Sequence, residues 1–230
     1  MTTGDANDRV HLEAEADDHR RFIDRIDKTI VALLCERMRL GERLVRPPGK
    51  TDTCAYQGVP GAFSEDAALA LAGATASLAP CPTLADVFDA LVAGHVRRAV
   101  VPIENTLAGR VPGCADLMAR HGVRVVAERD QQITQALVAP PGVPLTAMRR
   151  VLSHPVAIAQ CRRFLQAHPA LSPVPVFDTA GAVAEIVRSG WTDAGAIASR
   201  RAAEVYGAVV LVDDIQDRPD NFTRFVLIEV

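Results

Sequence analysis

From Cys54 to the C-terminus, short strand-like runs alternate with helix-like runs, and that alternation restricts the chain to an α/β architecture. It predicts strands near residues 54–57, 98–103, 123–127, 133–139, 150–152, 174–177, 195–198, 209–212 and 222–228. Helix starts fall between them at Ser64, at Thr83 with Asp86 three residues on, at Pro112, at Pro155, at Asp178/Thr179 and at Ser199. Polar or glycine-rich residues gather just after several strands: Gln57 to Gly61, Glu104-Asn105-Thr106, Ser153-His154-Pro155, Asp178-Thr179 and Ser199-Arg200. In open α/β sheets, ligands bind beyond the carboxyl ends of strands, where helix N-termini offer free amides to anions. Junctions converging on one cleft would suit a small carboxylate ligand, whereas each taken singly reads as a turn or a cap.

The segment before Cys54 has a different pattern. Residues 1–18 are acidic and without period and read as a disordered leader. Ile23, Ile26, Ile30, Leu33, Leu40 and Leu44 then follow 3/4 spacing, the mark of a helix over residues 19–46 packing along a narrow seam that Arg37 interrupts. Pro47 and Pro48 end it, and a linker follows.

Composition enters by exclusion. Of twenty-five basic residues only Lys28 and Lys50 are lysines, so no lysine is available from Thr51 to Val230 for a Schiff base or a P-loop. A net charge of −3 does not suit a nucleic-acid partner. Five scattered cysteines without a C-x-x-C pair signal neither a disulfide framework nor a zinc site, and fit a reducing cytoplasm. No run of eighteen apolar residues suggests a membrane span.

Six ordered motifs carry a family resemblance. Ala55-Tyr56-Gln57-Gly58-Val59-Pro60-Gly61-Ala62-Phe63-Ser64 resembles the opening motif of the prephenate and arogenate dehydratases. Val101-Pro102-Ile103-Glu104-Asn105-Thr106, Ser153-His154-Pro155 with Gln160-Cys161, Asp178-Thr179-Ala180, Ala196 to Ser199 with Tyr206-Gly207, and Asn221 to Phe225 are similar to five further segments of that family. The resemblance implies a two-lobed domain of the solute-binding-protein type (periplasmic binding protein type II-like) over residues 54–230, behind an N-terminal helix. One lobe would span about 54–130 plus 211–230, the other about 131–210, with the site in the cleft.

The implied reaction removes water and carbon dioxide from prephenate to give phenylpyruvate, or from arogenate to give phenylalanine. Aromatisation drives it, so the difficulty is expelling hydroxide, which calls for a general acid. No cofactor and no metal is implied. The substrate is a small molecule with two carboxylates, each needing donors. Thr223 is implied as the catalytic hydroxyl, with Asn105 and Gln160 as catalytic donors and Glu104 as a proton source if desolvated. Ser153, Thr106, Asp178, Thr179 and Arg224 are expected to bind substrate, although Thr223 and Arg224 alternate along a strand and cannot simply share a face.

Two departures accompany the resemblance. The chain stops five residues after Phe225, where the family usually continues into an ACT regulatory domain, so no ACT domain and no phenylalanine feedback through one are expected. Gln135 stands where the family generally has histidine. The helix over 19–46 resembles the first helix of all-helical chorismate mutases, with Arg20 and Arg37 at their substrate-contacting positions, but Pro48 replaces the expected lysine and the later helices are missing. Dimerisation through its seam is the simpler use, giving a cytoplasmic homodimer. A non-catalytic, two-lobed carboxylate-binding module is the reading from another class.

Overall fold

Each predicted strand forms within a sheet of its own neighbourhood. The computed structural model describes residues 52–230; the expected leader over 1–18 and helix over 19–46 lie outside the described residues. In chain order the elements are β1 (Thr53–Gln57), α1 (Phe63–Ala72), β2 (Ser77–Cys81), α2 (Leu84–Val92), β3 (Arg98–Asn105), β4 (Gly109–Arg110), α3 (Cys114–His121), β5 (Arg124–Gln132) and β6 (Ala136–Ala139). There follow β7 (Arg150–Ser153), α4 (Pro155–Gln160), α5 (Arg162–Ala167), β8 (Ser172–Pro175), α6 (Thr179–Arg188), β9 (Ala194–Ala198), α7 (Arg200–Tyr206), β10 (Val209–Val212) and β11 (Phe222–Glu229).

These strands build two sheets, a mixed α/β fold. The first has the order β2-β1-β3-β11-β5 with β4 on β3, and the second β10-β6-β9-β7-β8. Helices cover both faces of each. In the first, Val87, Phe88 and Leu91 of α2 pack with Val101, Val226 and Ile228 on one face, while Ala67 and Ala68 of α1 pack with Tyr56, Val100, Phe225 and Leu227 on the other. In the second, α6 and α7 lie on Val138, Leu152 and Ala196, and α4 and α5 lie on Leu137, Val151 and Ile197. With both faces buried, the central strands read as near-continuous apolar runs, as β9 (Ala-Gly-Ala-Ile-Ala) does.

The C-terminal strand is inserted between β3 and β5, antiparallel to both, so the last elements of the chain complete the first sheet. β10 belongs wholly to the second sheet through its pairing with β6. The crossing back to the first sheet therefore comes after Val212, two residues beyond the expected division at 210.

Local chemistry explains the helix starts. Thr83 caps α2, accepting from the Asp86 amide at 3.2 Å while the Asp86 carboxylate accepts from the Thr83 amide at 3.1 Å. This reciprocal pair contributes about 1 kcal/mol. Pro155 opens α4, and Asp178 and Ser199 cap α6 and α7 through their side chains. Two starts differ from expectation. α1 begins at Phe63 with no side-chain cap from Ala62, and α3 begins at Cys114 after the left-handed Gly113, φ 75°. Strand β2 carries Pro80 and has no period-2 pattern; it is an edge strand bonded to β1 alone, the position at which proline is tolerated.

Candidate active site

Two antiparallel strands bring the central pair together. Thr223 on β11 lies opposite Asn105 on β3, and Arg224 lies opposite Glu104, so the pleat sends Thr223 and Asn105 to one face and Arg224 and Glu104 to the other. The Asn105 Nδ2 directs its two hydrogens to Asn221 Oδ1 at 2.8 Å and Thr223 Oγ1 at 2.9 Å, with the Phe222 carbonyl at 3.1 Å as a third, shared acceptor. Its Oδ1 accepts from the amides of Leu107 at 3.0 Å and Ala108 at 2.9 Å. Backbone amides only donate, so the Asn105 side chain has a single possible orientation and Thr223 Oγ1 receives a hydrogen bond. Its own hydroxyl proton is then left to be donated.

The network continues into the second sheet's helices. Asn221, fully buried, donates from Nδ2 to Gln160 Oε1 at 3.1 Å at the end of α4. The adjoining return segment is tied to the same place: the Asp217 amide donates to the Gln160 carbonyl at 2.6 Å, and the Asp217 carboxylate accepts from the amides of Arg162 and Arg163 at 3.2 and 2.9 Å. Beside Gln160 opens a cavity of about 410 Å³ lined by Thr106, Leu107 and Ala108 on one wall, Val156 and Ala159 on another, and Gln216, Asp217 and Arg218 on a third. Thr223, Asn105, Asn221 and Gln160 thus form one connected set with the cavity at its end.

Several expected site residues are placed otherwise. Ser153 is fully buried and donates to the Ile197 carbonyl at 2.6 Å, stitching β7 to β9 rather than facing a ligand. Thr106 lines the cavity, but its hydroxyl donates to the Asp220 carbonyl and accepts from the Phe222 amide, both at 2.9 Å, clipping the strand ends together. Glu104 is exposed on the face away from Thr223, in register with Arg110 and Arg224, so the desolvation a proton source needs is missing. Arg224 is held bidentately by Asp130 on β5, at 2.8 and 3.0 Å. That pair raises the Arg224 pKa and lowers that of Asp130, and it occupies the fork a substrate carboxylate would need.

The α6 N-terminus is likewise occupied. Asp178 accepts from the amides of Ala180 at 3.3 Å and Gly181 at 3.0 Å, taking the donors expected for a substrate carboxylate at Thr179. Burial raises the Asp178 pKa, opposed by those amides and by His154. His154 accepts the Val156 amide at Nδ1, 3.2 Å, as the cap of α4, and burial lowers its pKa. The sequence marks Asn221 only as the first residue of the motif ending at Phe225, with no role of its own, and gives no signal for Asp217 beyond a short polar side chain ahead of that motif. Gln135 is buried, its amide donating to Gln216 Oε1 at 2.8 Å, while its own Oε1 is buried without a hydrogen-bond partner among the described residues.

A second junction holds the two sheets together. The β1–α1 turn meets the start of α7: Ser199 Oγ donates to the Gly61 carbonyl at 2.9 Å, and Arg201 Nε reaches Glu65 at 2.9 Å and Asp66 at 3.1 Å. A Cβ on Gly61, φ +88°, would lie 2.8 Å from Ala202 Cα, so only glycine permits this approach. The motif's tyrosine, Tyr56, lies buried beneath, its pKa raised by burial and by Glu65. Of the cysteines, Cys54, Cys114 and Cys161 are free and buried and Cys81 is buried, with burial pushing Cys54 and Cys161 up to about 12. Among the described residues no helix is long and apolar enough to cross a membrane.

The chain is 42% identical over 174 residues to the arogenate dehydratase/prephenate dehydratase 2, chloroplastic, of Arabidopsis thaliana, covering 76% of this chain and 45% of that protein. A solved structure of prephenate dehydratase in complex with L-Phe from Arthrobacter aurescens superposes with a TM-score of 0.72 at 34% identity, over 77% of this chain and 60% of that one. Another, described as GqqA, a novel type of quorum quenching acylases, gives a TM-score of 0.71 at 36% identity over 77% and 63%. The chain spans somewhat under half the length of the curated relative from Arabidopsis thaliana. Residues 54–230 match the family model for prephenate dehydratase, and by that match the chain belongs to the prephenate dehydratase family.

Proposed function

We propose that this protein is a carbon–oxygen lyase that converts prephenate to phenylpyruvate with loss of water and carbon dioxide, a step toward phenylalanine. The observation that carries the reading is the fixed polarity of the Asn105–Thr223 hydrogen bond. With its oxygen already accepting, Thr223 passes its proton to the departing hydroxyl, which leaves as water, and regains a proton from solvent, while the hydrogen bond from Asn105 steadies the charge on its oxygen in between. A positioned acid of this kind contributes about 10²–10⁴-fold. Gln160 supplies a donor for a substrate carboxylate, and the apolar side chains of Leu107, Ala108, Val156 and Ala159 favour a ring carboxylate losing its charge as carbon dioxide.

Thr223, Asn105 and Gln160 are accordingly the catalytic set, with the residues on the opposite face, Glu104 and Arg224, structural. The two sheets with their helices serve as the two lobes, over about 54–132 plus 213–230 and about 133–212. A cytoplasmic homodimer completes the reading, supported by the buried free thiols of Cys54, Cys114 and Cys161 in the one case and by the apolar seam over 19–46 in the other. Arogenate differs from prephenate only in an amino in place of a keto group and is the nearest rival substrate. Acylase chemistry, after which one structural relative is described, needs a hydroxyl activated by a base. The partner of Thr223 is an amide donor, and the partner of Ser153 a peptide carbonyl.

Incubation with prephenate and, separately, arogenate tests the proposal. Phenylpyruvate from the first is the expected product; phenylalanine from the second alone would reassign the substrate, and neither product would overturn the reaction.

A further inference from the structure

Asn221 is hydrogen-bonded both to Asn105 and to Gln160, and the hydrogen bonds around it have a definite direction. The amides of Leu107 and Ala108 fix the Asn105 oxygen, which turns the Asn105 Nδ2 toward Asn221. The atom of Asn221 that meets this donor is therefore its oxygen, and the atom at the other end is its nitrogen. That nitrogen meets Gln160 at 3.1 Å, so the Gln160 atom it meets is the oxygen. The Gln160 Nε2 is then the free end, on the side chain that lines the 410 Å³ cavity. Two peptide amides in a turn thus decide, through three side-chain amides in series, that the cavity receives a donor rather than an acceptor.

We propose that Asn221 is a positioning residue for the dehydratase reaction: it holds Gln160 with its NH2 group toward the cavity, where that group donates to a substrate carboxylate. This role rests on the proposed reaction. The direction matters because a flipped Gln160 would present its carbonyl oxygen to the anion and turn an attraction into a repulsion. Asn221 makes no contact with the substrate in this role, and its loss acts on binding through Gln160. Thr223 keeps its own bond to Asn105.

Asn221→Asp separates this role from a merely structural one. An ionised carboxylate at the position still accepts from Asn105 but cannot donate to Gln160, which then flips. The KM for prephenate should rise about tenfold at pH 8 while kcat falls less than threefold. Protonation of the introduced carboxyl restores a donor, so the KM ratio of variant to wild type should return to within about twofold by pH 5. The charged neighbours on the same segment, Asp217, Arg218 and Asp220, are common to both proteins and cancel in the ratio. A KM ratio near one throughout, or a raised ratio independent of pH, would overturn the role.

If the Asn221→Asp chain does not fold, Asn221→Ser replaces it, since it breaks the bridge without burying a charge. Its KM penalty should vanish in a Gln160→Ala background, and an undiminished penalty overturns the role. Wild-type turnover of prephenate is the reference throughout. Its absence overturns the reaction and this role together, whereas wild-type turnover with an unaltered variant overturns the role alone.

Discussion

Asn105 and Thr223 face each other across β3 and β11, and the 2.9 Å bond between them runs from the amide to the hydroxyl. That direction distinguishes a hydroxyl prepared to donate a proton from one prepared to attack. Thr223→Ala should lower kcat by at least about 10²-fold while ligand affinity, read by calorimetry with a non-reacting analogue, stays within a few-fold. Thr223→Ser should retain most of the turnover. Asn105→Ala should approach the Thr223→Ala loss, and the two losses combined should be far from additive because the residues act as a unit.

Glu104 and Arg224 provide the matching control. Both project from the face opposite Thr223, and Arg224 is exposed and paired to Asp130 at 2.8 Å. Arg224→Gln and Glu104→Gln should each leave kcat/KM within about threefold of wild type, measured in steady-state assays. A loss of a hundredfold in either would return that side chain to the catalytic set.

Gly61 carries the contact between the β1–α1 turn and α7. Its φ of +88° disfavours any side chain, and a Cβ would come within 2.8 Å of the Ala202 backbone. Gly61→Ala should destabilise the protein by about 2 kcal/mol, visible as a lowered urea midpoint, with the Ser199 hydrogen bond to the Gly61 carbonyl strained as well. Gly109, also at positive φ but with open space around it, is the comparison: Gly109→Ala should cost less.

Asp66 introduces a pH dependence at the same contact. Burial is the main cause that raises its pKa to about 6; Arg201 opposes the shift and Glu65 and Glu204 add to it. Because the folded protein holds this proton more tightly than the unfolded chain does, stability falls as pH rises from about 4 through 6. Asp66→Asn should therefore be more stable than wild type at pH 7 by on the order of 1 kcal/mol, after allowance for partial exposure and the lost Arg201 contact, with the difference shrinking toward pH 4. Thermal melts of the two proteins across that range measure it; a difference that does not vary with pH would contradict the prediction.

How much was legible in the sequence varies element by element. Strand β9 and the capped helices α2, α6 and α7 were readable because their signals are local: an apolar run, or an oxygen two or three residues ahead of an amide that needs it. β2 was not readable, because Pro80 and the lack of period-2 alternation argue against a strand that edge pairing nevertheless supports. β5 runs five residues further than its apolar part, since β11 pairs with it through Glu128 to Gln132 whatever their polarity. The motifs supply Asn105, Gln160, Asn221 and Thr223 to one hydrogen-bonded set, while other motif residues fall outside that set. Ser153, Arg224, Asp178 and Glu104 sit in motifs but are bonded within the fold or turned away from Thr223.

The sequence by itself determined the α/β alternation, the family motifs and the absence of lysine after Lys50, each of which depends only on residue types and their spacing along the chain. Tertiary structure alone decided which polar side chains act together. Asn105 and Thr223 are 118 positions apart, and Gln160 and Asn221 61. Their meeting depends on β11 returning to lie between β3 and β5, and on the segment from Ile215 to Asp217 binding back to Gln135 and Gln160. Strand pairing sets the face on which each side chain emerges, and the directions of peptide hydrogen bonds set which amide end each one presents. Neither is encoded in the spacing of residues along the chain.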